Sequence, residues 1–264
     1  MSAWSEVGKP ADRVAALYDI HGNLPALDAV LAEVLGAGVD RVVVGGDVIP
    51  GPMPVECLER LEALPVPVDV LSGNGEADLV TLAGGTMPAR VPEAVHPILE
   101  WVLDRLGPRW IGELAGWPAT VSLDIRGLGR VLFCHATPGD DNTIFTVRTP
   151  GEALQSFFEG VEADVVVCGH THMPFDRRVG DIRVVNAGSV GMAFGSSEAH
   201  WLLLGPSVMP RRTSYDVPEA MERIARSGYP GLVSLDAPAS ADAMLDLFDA
   251  RSPGAPPAPN GGTP

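Results

Sequence analysis

The feature that most constrains this fold is a series of short apolar runs that break off on polar residues of a few types. RVAALYD leads into LPALDAVLAEVLGAG, RVVVGGD follows, and PVECLERLEAL then leads into VPVDVLSGN. The short runs have strand length and β-branched content, whereas the longer pieces carry apolar residues at helical spacing, the first closing on glycine. This alternation predicts a βαβαβ unit, hence a parallel sheet with right-handed crossovers. Reactive groups in such sheets collect at the carboxyl ends of strands. Asp19, His21, Asp47 and Asn74 all fall there.

Residues 76 to 117 read as mostly helical with Pro and Gly interruptions, a helical cap or flank. TVSLDI and GRVLFCH, joined by RGLG, predict an antiparallel hairpin. A helix is expected near 150 to 160, strands at ADVVVCGH, DIRVVNAG, AHWLLLG and SVMPRRTSYDV, and helices at PEAMERIARSG and DAMLDLFDA. The expected architecture is α/β, a four-layer α/β/β/α sandwich of two mixed sheets flanked by helices. A chain of 264 residues that is 46% hydrophobic can bury such a core. Residues 1–12 lack periodicity and 251–264 are rich in Pro and Gly, so both are expected to be disordered tails around one domain at 13–250.

A formal charge of −16 argues against bulk nucleic-acid binding and against docking to an anionic membrane. Any phosphate must then be met locally, by a metal ion or an arginine. Cys57, Cys134 and Cys168 form no CxxC pair, and no run approaches a membrane span. The expectation is a cytoplasmic protein acting on a small phosphoester, with a homo-oligomer left open. Cys134 and Cys168 end apolar runs, where cysteine serves as a small buried hydrophobe more often than as a nucleophile.

Later strand ends repeat the pattern, with His135 after VLFC and His170 and His172 after VVVC. Five strand ends thus offer carboxylate, amide or imidazole groups, a mixed oxygen and nitrogen set suited to Mn, Fe, Zn, Co or Ni. In an extended Asp-X-His or His-X-His segment, alternate side chains point the same way, so both could reach one ion. A carboxylate such as Asp47 can bridge two ions about 3.5–4 Å apart, the spacing of two-metal hydrolysis. Glycines beside nearly every ligand permit close backbone approach.

With DIHGNLPAL, GGD, GN, GHTHMPF and NAGSVG in this order, the sequence resembles the calcineurin-like metallophosphoesterase superfamily, in particular its small prokaryotic, phosphodiesterase-like branch, over residues 13 to 215. The resemblance implies that Asp19, His21 and His172 bind one ion, that Asn74, His135 and His170 bind another, and that Asp47 bridges them. It implies a dinuclear phosphoesterase, manganese being one suitable metal, that attacks phosphorus with a metal-activated hydroxide; Asp47, Asn74 and His135 act through that solvent. NAGSVG is expected to have a structural role.

Other residues admit two readings. Asn23 is either the cap of the helix at Leu24 or a contact to substrate phosphate or bridging solvent. Arg148 is either a phosphate clamp or a surface arginine. Glu76 reads as a helix-stabilising acid, Asp140 and Asp141 as a turn ahead of a role behind the ligands, and His96 and His200 as hydrogen-bonded surface residues. Many relatives carry GNH, whereas this chain has Gly75 after Asn74. Without that imidazole, phosphodiesters and activated esters are favoured over unactivated monoesters. A phosphomonoesterase, a nucleotide or protein phosphatase, and a non-catalytic scaffold are the competing readings.

Overall fold

A computed structural model describes residues 10–255. In the first sheet β1 (Val14–Leu17), β2 (Arg41–Val44) and β3 (Val68–Val70) run parallel, with α1 (Leu24–Gly36) and α2 (Pro54–Glu62) as crossovers. β9 (Ala199–Leu204) and β10 (Val208–Thr213) extend this sheet antiparallel beside β1, giving the order β10-β9-β1-β2-β3. Pro210 sits in β10, at the sheet edge, where its missing N–H breaks no central ladder.

The second sheet has the order β4-β5-β6-β8-β7. β4 (Thr120–Ile125) and β5 (Gly129–Cys134) form the expected hairpin, and β6 (Val165–Cys168) runs parallel to β5. β8 (Ile182–Asn186) is parallel to β6, and the edge strand β7 (Phe175–Val179) pairs antiparallel with it. β7 is an element the sequence reading does not identify. FDRRV buries only its two ends, so it carries little apolar signal, and its pairing with β8 supplies the rest.

Apolar side chains fill three layers. Val14, Ala16 and Val43 meet Phe133, Val165 and Val167 between the sheets. The outer face of the first sheet is covered by α1, α2, α3 (Asn74–Ala83) and α4 (His96–Leu114), with Leu27, Leu58, Leu79 and Val102 fully buried. Segment 76–117 is therefore a packed flank. Leu154 and Phe158 of α5 (Gly151–Phe158) cover the second sheet. Two further helices close the chain, α6 (Val217–Ser227) beside α1 and α7 (Ala241–Asp249).

Parts of the expected tails are ordered. Ala11 bridges to Ile125, and its N–H donates to the Asp124 carbonyl, so the chain joins the second sheet before β1 begins. Ser252 is buried and donates to the Phe248 carbonyl. The rest of both tails, 1–9 and 256–264, lies outside the described residues. No helix among the described residues is long and apolar enough to cross a membrane.

Candidate metal centre

Five of the seven proposed ligands share an unusual backbone. Asp19, His21, Asp47, His170 and His172 have φ between 46° and 65°, and they are the only non-glycine residues with positive φ among the described residues. That conformation costs a residue with a Cβ roughly 1–2 kcal/mol. The extended Asp-X-His picture is thereby corrected. A pleated strand would carry the chain straight past the sheet edge, whereas the left-handed turns after β1 fold it back and bring His21 Nε2 to 3.9 Å from Asp19 Oδ1.

The turns are stitched together by backbone. The Asp19 and His21 N–H groups donate to the Gly46 and Asp47 carbonyls, so the loop after β1 keeps pairing with the loop after β2. A Cβ at Gly46 would lie 2.5 Å from the Gly73 nitrogen and 2.8 Å from His135 Nδ1. The NAGSVG segment braces the same turns, as expected. Ser189 Oγ donates to the Asp19 carbonyl, and Asn186 Nδ2 donates to the Gly169 carbonyl.

Each aspartate has one oxygen fixed and one turned inward. Asp19 Oδ2 accepts from the His170 N–H, and Asp47 Oδ1 accepts from the Gly75 N–H. Asp19 Oδ1 then lies 3.4 Å from His172 Nε2 and 3.9 Å from both His21 and His135 Nε2. Asp47 Oδ2 lies 3.5 Å from His135 Nε2 and 3.8 Å from His21 Nε2. Three imidazoles are oriented from behind, with Nδ1 of His21, His135 and His172 facing the carbonyls of Pro50, Gly45 and Met192. Carbonyls only accept, so Nδ1 carries a proton and Nε2 is the atom turned into the centre.

This arrangement calls for cations. His21 and His172 Nε2 face each other at 3.1 Å, and His135 Nε2 faces Asn74 Oδ1 at 3.1 Å; with neutral rings lone pair would meet lone pair, so each contact needs either a proton on an Nε2 or a metal ion. Asp19 Oδ1 and His170 Nε2 are buried without a hydrogen-bond partner. The His170 and His135 rings lie 5.2 Å apart. Two groups have the compactness of a metal site, Asp19 with His21 and His172, and Asp19 with Asp47 and His135. Asp19 is common to both, while Asp47 Oδ2 faces a histidine of each.

The electrostatics agree. Burial pushes Asp19 and Asp47 up, but the imidazoles of His172 and His135 outweigh it and hold both carboxyls below their ordinary range. Burial opposes protonation of His135, yet Asp47 and Asp19 raise it to about 10, and Asp19 likewise raises His172. Burial, aided by His135, lowers His170 to about 4. The two carboxylates thus hold protons on the histidines in the place a metal cation would take.

Glu76 does more than favour a helix N-terminus. It is fully buried, and its carboxylate accepts from the N–H groups of Gly73, Asp47 and Ile49, tying the start of α3 to the loop after β2. The contact with Gly73 is half of a capping box, glycine having no side chain to complete it. Burial, then the Asp47 charge, raises Glu76 to about 7. The sequence signal for it is an acid three residues after Gly73; its other two partners are distant in the chain.

The remaining predicted residues separate. Asn23 caps α1 through Ala26 N–H, and its Nδ2 donates to the Gly191 carbonyl and Tyr215 hydroxyl, so its buried side chain is committed to protein partners and not to phosphate. Arg148 is committed as well. It pairs with Asp242, Asp246 and Asp249 along α7, in keeping with the surface-arginine reading. Arg90, which no motif flags, donates to the Asn74 carbonyl and pairs with Asp78 and Asp141. Asp140 accepts from Asn142 N–H and Thr143 Oγ1, the expected turn. His96 Nε2 faces the Val91 carbonyl, but His200 is buried, contrary to its surface reading, because β9 continues the first sheet inside the sandwich. Burial raises all three thiols, keeping them protonated.

Residues 13–206 match the model of the calcineurin-like phosphoesterase superfamily domain. An uncharacterized protein of Methanocaldococcus jannaschii is 26% identical over 237 residues, covering 82% of this chain and 93% of that protein. A hypothetical protein from Pyrococcus horikoshii OT3 superposes with a TM-score of 0.72 at 18% identity, covering 89% of this chain and 97% of its own. A metallophosphoesterase from Sphaerobacter thermophilus gives 0.66 at 22% identity, over 91% and 99%. At these identities the two structures show the shared fold.

Proposed function

The chain belongs to the calcineurin-like phosphoesterase superfamily, and from that premise we propose that it hydrolyses phosphodiesters or activated phosphoesters at a pair of divalent ions. Asp19, His21 and His172 would hold one ion, and Asn74, His135 and His170 the other, with Asp47 between them. The observation that carries this reading is the convergence of Nε2 atoms and inward carboxylate oxygens on one buried space. Manganese, iron, cobalt, nickel and zinc suit such donors. Bound there, the ions supply the Lewis acidity that activates water and offsets charge growing on the phosphoryl oxygens.

The chain's own residues set the geometry. The Pro50, Gly45 and Met192 carbonyls fix the imidazoles of His21, His135 and His172, and the Gly75 and His170 N–H groups fix the carboxylates, while the His170 ring lies outside both compact groups. Arg90 and Arg148 are spent on carboxylates, which leaves phosphate charge at the centre to the ions.

Position 75 bears on the substrate. A Cβ there would lie 2.2 Å from the Ile49 carbonyl oxygen and 2.6 Å from Pro50 Cδ, so this backbone admits no imidazole. A leaving group must depart without a proton from that position, which favours aryl and other activated esters. The test is elemental analysis of purified protein together with turnover of aryl diesters and aryl monoesters, each with Mn, Ni, Co, Zn and Mg. About two ions per chain and faster diester turnover are expected. No metal uptake after incubation with manganese would overturn the reading and leave a non-catalytic scaffold.

A further inference from the structure

Resting on that reading, we propose that the cavity beside His172 seats the organic group of the substrate, a ring-bearing alcohol of nucleoside size esterified to the phosphate. The cavity measures about 610 Å³ and lies at the same end of the sandwich as the metal centre. Met173 and Phe194 form its inner wall, and the Phe194 ring stacks on the His172 imidazole at 5.2 Å with 15° between planes. Phe194 thus touches both the cavity and a metal-ligand candidate.

The volume falls within the roughly 300–1,000 Å³ of small-molecule sites. A methyl or other short alkyl ester would leave nearly all of it unused. The walls suit a flat amphipathic group, with Met173, Phe194 and Leu245 presenting apolar surface and Ser196, Glu198 and Arg212 supplying polar side chains. His200 is only 4% exposed, and neither ring nitrogen has a hydrogen-bond partner. Burial and the nearby Arg212 favour its neutral form against the opposing charge of Glu198, and its ring nitrogens are closed off from the cavity. Arg212 is exposed and makes no ion pair among the described residues, leaving its planar guanidinium free to stack on a ring.

Leu245 and Arg212 lie beyond residue 206, where the superfamily match ends. The outer wall is therefore built by the C-terminal segment, and α7 is held in place there by Arg148.

The test uses two diesters with the same leaving group, thymidine 5′-(4-nitrophenyl) phosphate and methyl 4-nitrophenyl phosphate, on the manganese-loaded protein. The nucleoside ester should show a KM at least about tenfold lower, and Leu245→Trp, which fills the cavity, should raise that KM about tenfold while the ratio of the two collapses toward one. Leu245→Ala covers the case in which tryptophan prevents folding, and a threefold rise in the same KM is expected on the order of a lost methylene contact. Equal KM values in the wild type, or equal effects of the variants on both esters, would overturn the proposal. If neither ester is hydrolysed, the phosphoesterase reading fails separately. Calorimetric titration with thymidine then decides the cavity: binding that weakens about tenfold in Leu245→Trp upholds it, and no binding to the wild type overturns it.

Discussion

The strand-end turns and the C-terminal helix α7 both sit at the functional end of the sandwich, yet they are held by opposite means. The turns carry five strained residues, buried carboxylates and backbone donors that are fully used. Helix α7 buries no residue completely and is tied down by exposed ion pairs from Arg148. Buried hydrogen bonds to a charged group resist loss, because breaking one strands a partner away from water; exposed pairs are weakened by solvent and salt. The centre is thus built to hold donors rigidly, while the wall beside it can yield.

The largest effect should come from the centre itself. Asp47→Asn or His170→Ala should lower aryl diester turnover by roughly 10³-fold and reduce bound metal, with the circular dichroism spectrum unchanged. Retained activity in both variants would mean that the strained turns serve folding alone.

Gly75→His tests whether the absent imidazole is a matter of evolution or of space. The side chain would collide with the Ile49 carbonyl, so this variant should melt well below the wild type and gain no monoesterase activity. A folded variant with faster monoester turnover would show that the loop can move aside.

Glu76→Ala removes the acceptor for three backbone N–H groups and should cost roughly 3 kcal/mol or more in urea unfolding. Glu76→Gln, which keeps one carbonyl, should fall between the two.

A smaller effect is expected from pH. His200 stays neutral in the fold at pH values where the unfolded chain begins to protonate it. Its contribution is therefore present above the ordinary histidine value of about 6.5 and is lost as pH falls through it. His200→Gln should flatten the loss of melting temperature between pH 7 and 5; an unchanged slope would assign that loss to other groups.

The smallest change is Arg148→Ala. It should cost about 1 kcal/mol or less, and the difference from wild type should vanish in high salt. A larger, salt-independent loss would place α7 among the rigid parts of the molecule.

Much of this was legible in the chain. Alternating apolar runs fixed the β1-α1-β2-α2-β3 order, since strand and helix periods are properties of consecutive residues. The same runs marked the candidate ligands, because an Asp or His that ends a buried strand must face either water or a partner. Short-range patterns could not reveal β7, whose pairing with β8 stabilises a segment poor in apolar residues. Nor could they reveal that Arg148 turns to Asp242, Asp246 and Asp249, roughly a hundred residues away in sequence.

By itself the sequence determined the two-sheet α/β frame and the types of donor available to a metal, since local periodicity and side-chain chemistry need no knowledge of distant contacts. Only the tertiary structure decided how those donors face one another, that Glu76 wires two loops together, that position 75 is closed, and that a cavity stands behind Phe194. Each of these depends on atoms brought together from separate segments, and those meetings are fixed by packing the sheets and their helices.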